Sequence, residues 1–211
     1  MKILLIRHTE QDYPLNAEGK KMISLKETPL SKLGEKQAHQ LAMEIKRFGS
    51  VPEVLFVSPY LRAQQTARIL QEDLGISNLE TVYDLREIDP NGSEGHLLED
   101  VELAEKGFKI NWGPSETLEH LIDRQRHAFK EIFGKSEGKF SIVGIVSHGD
   151  PLCAMYWAIR NEGHPSLFSM MKKDYYPQKG DAYEFTFENG RVIGESQLIS
   201  LERSDRSIER K

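Results

Sequence analysis

Three short apolar runs constrain this chain more than any other feature: residues 2–6 (KILLI), 54–57 (VLFV) and 142–146 (IVGIV). Each is too short for an ordinary helix and apolar on both sides. Such runs read as strands buried on both faces, which occur in parallel sheets covered by helices. Each also stops abruptly at polar side chains. The first ends at Arg7-His8-Thr9-Glu10, the second at Ser58-Pro59 and the third at Ser147-His148-Gly149-Asp150.

Helical patterns separate the runs. Ser31 is a candidate N-cap for a helix whose apolar spacing includes Leu33, Ala38, Leu41, Ala42, Ile45 and Phe48, stopped by Gly49. A second helix is expected over 60–73, with Pro59 at its start and Gly75 at its end. A weaker strand is expected over 79–82. A polar insertion follows over 89–114, with a short helix at 97–105 and a loop-like NGSEGH stretch. Further helices are expected over 115–133 and 151–159. Glu188-Asn189-Gly190 carries the Asn-Gly signal of a hairpin between strands at 183–187 and 191–195. The alternation implies an α/β fold, a three-layer α/β/α sandwich. Its central sheet should be mostly parallel, with one antiparallel strand from the hairpin.

The chain has 211 residues, enough for a substantial core, and no Pro/Gly/Ser-rich linker divides it. A single domain over 1–201 is expected, with a lid insertion at about 89–114 and a charged, disordered tail at 202–211. The net charge of −5 argues against a nucleic-acid surface, though not against a phosphate ester held by a few local arginines. The lone Cys153 lies in an apolar stretch and reads as a small buried hydrophobe. No apolar run approaches a signal core or a membrane span, so a cytoplasmic protein without membrane contact is expected.

Ligands of open α/β sheets bind beyond the carboxyl ends of the strands. Those ends supply Arg7 and His8, then Ser58 with Arg62 one turn later, then His148, Gly149 and Asp150. The weak third strand leads to Glu87. If the strands are neighbours, two arginines, two histidines and a carboxylate converge. Arginines bind tetrahedral oxyanions bidentately, and a helix start near Tyr60 adds N–H groups. Gly149 permits close backbone approach. A neutral histidine can attack phosphorus, a second, protonated, can stabilise the charge on the phosphoryl oxygens, and a carboxylic acid can protonate the leaving oxygen. Each residue alone has a bland explanation: a structural histidine, a surface arginine, an ordinary acid. Asp84, Arg86 and Asp89 are bland neighbours of Glu87. The bland explanations would all have to coincide at the strand ends.

These residues resemble the histidine phosphatase superfamily, phosphoglycerate mutase-like, branch 1. The blocks are Arg7-His8-Thr9-Glu10, with Thr in place of the usual Gly, then PLSKLGEKQAHQLA (29–42), VSPYLRAQQTARIL (57–70), SETLEHLIDR (115–124) and VSHGDPL (146–152). The resemblance implies His8 as phosphohistidine nucleophile and Glu87 as proton donor. It implies Arg7, Arg62 and His148 as phosphoryl ligands, the 89–114 insertion as part of a lid, and no cofactor. Two departures stand out. The family's usual phosphate-contacting Asn falls at Pro14, with Asn16 nearby but shifted. No stretch in the insertion resembles the one with which phosphoglycerate mutases hold their substrate.

The leading expectation is therefore a metal-independent phosphomonoesterase acting on a small phosphate ester. A phosphomutase using the same site and a non-catalytic phosphate-binding module remain open. So does a metal site made from His8, His148 and Asp150. A homodimer is allowed by the sequence and not specified by it.

Overall fold

Each apolar run is a strand in the computed structural model, which describes residues 1–23, 26–88, 94–100, 116–160 and 176–201. In chain order the elements are β1 (Lys2–Arg7), α1 (Lys32–Arg47), β2 (Val54–Val57), α2 (Leu61–Leu74) and β3 (Asn78–Thr81). A single 3-10 turn (Tyr83–Leu85) follows. Then come α3 (Leu118–Ser136), β4 (Ile142–Ser147), α4 (Gly149–Ile159), β5 (Ala182–Glu188) and β6 (Arg191–Ile199). The strands form one sheet in the order β3-β2-β4-β1-β5-β6. β3, β2, β4 and β1 are mutually parallel, whereas β5 runs antiparallel to both of its neighbours. The expected α/β architecture and its one antiparallel strand are both present.

The period-2 alternation of a strand divides the core in two. Ile3 and Leu5 point to one face, with Phe56, Val143, Ile145, Leu121, Leu152 and Met155. Leu4 and Ile6 point to the other, with Leu55, Val57, Val146, Leu41, Ile45 and Leu70. Thus α3 and α4 cover one face, and α1 and α2 the other. Cys153 is buried in the first layer, and burial pushes its thiol to about 12. That suits a packing residue, not a nucleophile.

Ser31 caps α1 as expected, its hydroxyl accepting from the Gly34 N–H at 3.0 Å. Two residues assigned to the apolar stripe do not join it. Leu33 is 57% exposed and Phe48 is 48% exposed. In the first turn the buried position is Gly34, against which the Glu10 backbone lies, so Leu33 is turned outward. Phe48 is the C-cap, where the Arg47 guanidinium lies over its ring at 4.7 Å. In α2 the proline expected in the first turn falls before the Tyr60 N-cap. The hairpin is formed as expected, with Asn189 and Gly190 both in the left-handed region, at φ 49° and 72°.

The loop after β1 is organised by Asn16, whose side-chain oxygen accepts from the N–H groups of Glu18 (3.0 Å) and Lys20 (2.9 Å). Part of the insertion lies against this loop. The Ile23 N–H donates to His96 O at 2.8 Å, the Leu98 N–H donates to Lys21 O at 2.9 Å, and Lys20 pairs with Glu99 at 2.8 Å. Residues 98–100 are helical. Leu97, expected to start that helix, instead forms an antiparallel bridge with Met22. Residues 101–105 of the expected helix, Asp89 and the 202–211 tail lie outside the described residues.

A methyl group on Gly34 would sit 1.9 Å from the Glu10 carbonyl oxygen. Gly34→Ala should therefore cost about 1–3 kcal/mol of stability. Gly134 lies inside α3 with nothing within 4 Å, and Gly134→Ala should add about 0.5–1 kcal/mol. Urea unfolding of the two variants measures both signs.

Candidate active site

The strands that carry chemistry-bearing ends are neighbours: β2, β4 and β1 lie side by side. Arg7 ends β1 opposite Ser147 at the end of β4. The His8 N–H donates to Ser147 O at 3.0 Å, and the Ser58 N–H to Val146 O at 2.9 Å. These backbone bonds bring Arg7, His8, Ser58 and His148 to one edge.

His8 is buried. Its Nδ1 lies 2.8 Å from the Thr9 carbonyl, which can only accept, so Nδ1 carries the proton. Nε2 is then a lone-pair acceptor, and Arg62 Nε donates to it at 3.1 Å. Burial, then the charges of Arg62 and Arg7, hold the imidazole well below its usual value of 6.5, so it is neutral. The His148 ring stands edge-on to His8, with centroids 5.0 Å apart. Its Nε2 is 2.7 Å from Ser58 Oγ, and that oxygen also accepts from the Tyr60 N–H at 3.3 Å. With the hydroxyl proton given to Nε2, the remaining Nδ1–H of His148 is a buried donor with no partner among the described residues. Burial and the nearby Arg62 keep this ring neutral too, so the second histidine is not the protonated one that the sequence led one to expect.

Arg7 is fixed from one side only. Its Nη1 donates to Pro177 O at 2.7 Å and its guanidinium lies 5.4 Å from the Tyr176 ring centre, while the buried Nε has no partner among the described residues. A methyl group on Gly149 would come within 2.3 Å of the Tyr176 hydroxyl and 3.2 Å of Arg7 Cζ. Glycine is required there by that close approach. The expected cradle of N–H groups at the start of α2 is not formed as such. The Leu61 N–H donates to Lys26 O, and the Ala63 and Gln64 N–H groups donate to Tyr60 O. What α2 brings to the site is the Arg62 side chain.

Glu87 reaches the site from the turn after β3. Burial and the charge of Asp150 push its carboxyl up to about 7, against the opposing pull of Arg62 and Arg7. Its loop is held by groups to which sequence reasoning gave no role. Arg124, buried in α3, donates to the carbonyls of Asp84 and Arg86 and forms a two-pronged pair with Glu116 at 2.7 and 2.5 Å. Although burial pushes Glu116 up, Arg124 holds it below the usual carboxylate range. Gln125 also donates to Asp84 O, and Ser147 Oγ donates to Leu85 O at 2.6 Å. The available signal was an arginine eight residues after a glutamate that precedes the helix, in a segment already singled out.

Thr9, at the position where the family resemblance leads one to expect Gly, is buried with its N–H 3.3 Å from Thr66 Oγ1, which donates to Arg62 O at 2.8 Å. The substitution thus ties the His8 loop to α2. Asn16, shifted from the expected position, makes a turn with its own backbone neighbours. Its side-chain oxygen is engaged there. Pro14 is exposed. Among the described residues no three His, Cys, Asp or Glu side chains are grouped to hold a metal ion, and the Nε2 lone pair of His8 already accepts from Arg62.

The model of the histidine phosphatase superfamily (branch 1) matches residues 3–176. The chain belongs to this superfamily. This histidine phosphatase is 33% identical over 170 residues to the uncharacterized phosphatase PhoE of Bacillus subtilis (strain 168), covering 79% of this chain and 81% of that protein. It is 31% identical over 170 residues to phosphoserine phosphatase 1 of Hydrogenobacter thermophilus (strain DSM 6534 / IAM 12695 / TK-6), covering 75% and 76%. Its fold matches that of a mycobacterial glucosyl-3-phosphoglycerate phosphatase with a TM-score of 0.68 at 19% identity, over 92% of this chain and 95% of the other. Among the described residues no helix is long and apolar enough to cross a membrane.

Glu87 carries a testable cost. Its folded value of about 7 lies above the ordinary 4.5. Below pH 4.5 both folded and unfolded chains are protonated there and nothing is lost. As pH rises to about 7 the unfolded chain releases its proton first, and the folded state loses stability. Glu87→Gln should thus match wild type at pH 4 and exceed it at pH 8, on the order of 3 kcal/mol. Urea titrations at the two pH values test this. Equal midpoint shifts at both would mean that Glu87 titrates normally.

Proposed function

We propose that this histidine phosphatase is a metal-independent phosphomonoester hydrolase, working through a phosphohistidine at His8 on a small phosphorylated metabolite. The observation that carries the reading is the state of His8. It is neutral and buried, with Nδ1–H fixed on a carbonyl and the Nε2 lone pair directed at an arginine N–H. An arginine beside that lone pair draws a phosphoryl oxygen to the nucleophile.

In this mechanism the phosphate dianion takes up the unused donors, Arg7 Nε and His148 Nδ1–H, together with Arg62. As Arg62 turns its N–H from His8 to a phosphoryl oxygen, Nε2 is freed for attack. The N–P bond forms in line as the ester P–O bond breaks. Glu87, still protonated near neutral pH, gives its proton to the departing alcohol oxygen. The resulting carboxylate then takes a proton from water as the water oxygen attacks phosphorus. The P–N bond breaks, its electron pair returns to Nε2, and Glu87 is protonated again. Gly149 leaves room for Tyr176 and Arg7, and so acts through them.

Phosphate release from sugar phosphates, phosphoglycerates, nucleotides and phosphoamino acids, measured in chelator, tests the reading. The panel includes phosphoserine because a relative is named for it. His8→Ala should abolish turnover. Arg62→Ala should lower it by about 10² or more. Phosphoryl transfer from His8 to a second hydroxyl compound in preference to water would make the protein a mutase. Phosphate binding without turnover would make it a binding module.

The pH profile follows from the same groups. Because His8 stays neutral well below 6.5, activity should persist into mild acid. It should fall as pH rises through about 7, where Glu87 loses the proton that it must donate. A profile that rises through that range would assign the donor elsewhere.

A further inference from the structure

Asp150 belongs to no step of the mechanism above, yet it lies two residues beyond His148 on the first turn of α4. An acid at a helix N-terminus is commonly there for the helix dipole. This one has a different partner: the Tyr176 hydroxyl donates to its Oδ1 at 3.1 Å. Tyr176 in turn lies under the Arg7 guanidinium and against Gly149. The carboxylate is therefore held in place beside the phosphoryl site. The groups that face it are Glu87 from the turn after β3, Arg7 from β1, Tyr176 from the segment before β5, and the Cys153 thiol on its own helix.

The surrounding charges are already matched. Lys179 pairs with Glu10 at 2.9 Å, Lys20 with Glu99 at 2.8 Å, and Arg86 with Asp84 at 3.3 Å, while Arg124 holds Glu116. Glu87 and Asp150 have no ion-pair partner among the described residues. Arg7 and Arg62 are balanced by a phosphate dianion once substrate binds. Burial raises the Asp150 carboxyl, opposed by the Tyr176 hydroxyl and the Arg7 charge. With Glu87 holding its proton and Asp150 ionised, Asp150 adds one negative charge on the side from which Glu87 protonates the leaving alcohol.

We infer that Asp150, positioned by Tyr176, sets the charge preference for the leaving group, favouring phosphomonoesters whose alcohol carries a cationic or neutral group over those carrying a second anion. The inference rests on the phosphohydrolase reading and deepens it. Physically, one fixed charge within several ångströms of the alcohol, at an effective dielectric of about 20, discriminates by about tenfold or more. The same charge also disfavours ionised Glu87, so its removal should move the basic limb of the pH profile toward lower pH.

The test uses three two-carbon phosphate esters of similar size: phosphoethanolamine, ethyl phosphate and phosphoglycolate. Each is measured as a competitor of para-nitrophenyl phosphate hydrolysis, with wild type, Asp150→Asn and Tyr176→Phe. Wild type should bind the ammonium ester at least about tenfold more tightly than the carboxylate ester, with the neutral one between them. Asp150→Asn should collapse that ratio toward one and shift the basic limb down. Tyr176→Phe should narrow the ratio, and it serves as the second variant if Asp150→Asn does not fold. Preference of the wild type for phosphoglycolate, or an unchanged ratio in the soluble variants, overturns the inference alone. No hydrolysis of para-nitrophenyl phosphate by wild type overturns the phosphohydrolase reading, and this inference with it.

Discussion

The bond from His8 Nδ1–H to the Thr9 carbonyl, 2.8 Å long, is the constraint on which the site depends. It settles which nitrogen of a buried imidazole carries the proton. Without it, Arg62 could not donate to Nε2, and the two cationic neighbours would face a ring of undefined polarity. The carbonyl is available because the chain leaves β1 at Arg7 and is pinned at once, the His8 N–H going to Ser147 O and the Thr9 N–H to Thr66 Oγ1. Sheet, loop and helix therefore all serve one tautomer.

Desolvation then acts differently on each group. It keeps both histidines neutral beside two arginines, because an imidazolium there would be buried and repelled. It pushes Glu87 the other way, toward its neutral acid, with Asp150 adding to the effect. A buried acid that is neutral near pH 7 needs a rigid support. Arg124, Gln125 and Ser147 supply one by holding the backbone around residues 84–86. The support is itself an ion pair, satisfied on both sides by Glu116 and the carbonyls, which is the condition under which a buried arginine is tolerated.

Much of this was legible in the chain. The runs at 2–6, 54–57 and 142–146 specified buried strands, because they are apolar throughout and too short for a buried helix. The Ser31 cap, the Gly75 stop and the Asn189-Gly190 turn followed from local backbone chemistry that no distant contact alters. Arg7, His8, Arg62, Glu87 and His148 could be picked out because each follows a strand end, where parallel topology gathers ligands. Leu33 and Phe48 were misassigned because helical spacing identifies a stripe and not its edges. Which residue lies inward at each end depended on the Glu10 backbone and on Arg47. Asn16 was ambiguous for a related reason: a short amide can serve a ligand or its own turn, and only the folded loop shows it doing the latter.

By itself, then, the sequence determined the element types, the α/β class and the chemical inventory at each strand end. These depend on periodicity and on local turn and cap geometry, within a few residues of chain. The tertiary structure alone decided that β4 lies between β1 and β2, so that the three ends meet. It alone set the ring tautomers, the support of Glu87 by Arg124, and the placement of Tyr176 against Asp150 and Arg7. Apart from the His8–Thr9 bond between chain neighbours, those facts involve residues tens to hundreds of positions apart. Hydrogen-bond direction and desolvation are properties of the neighbours that folding supplies, and no local pattern encodes them.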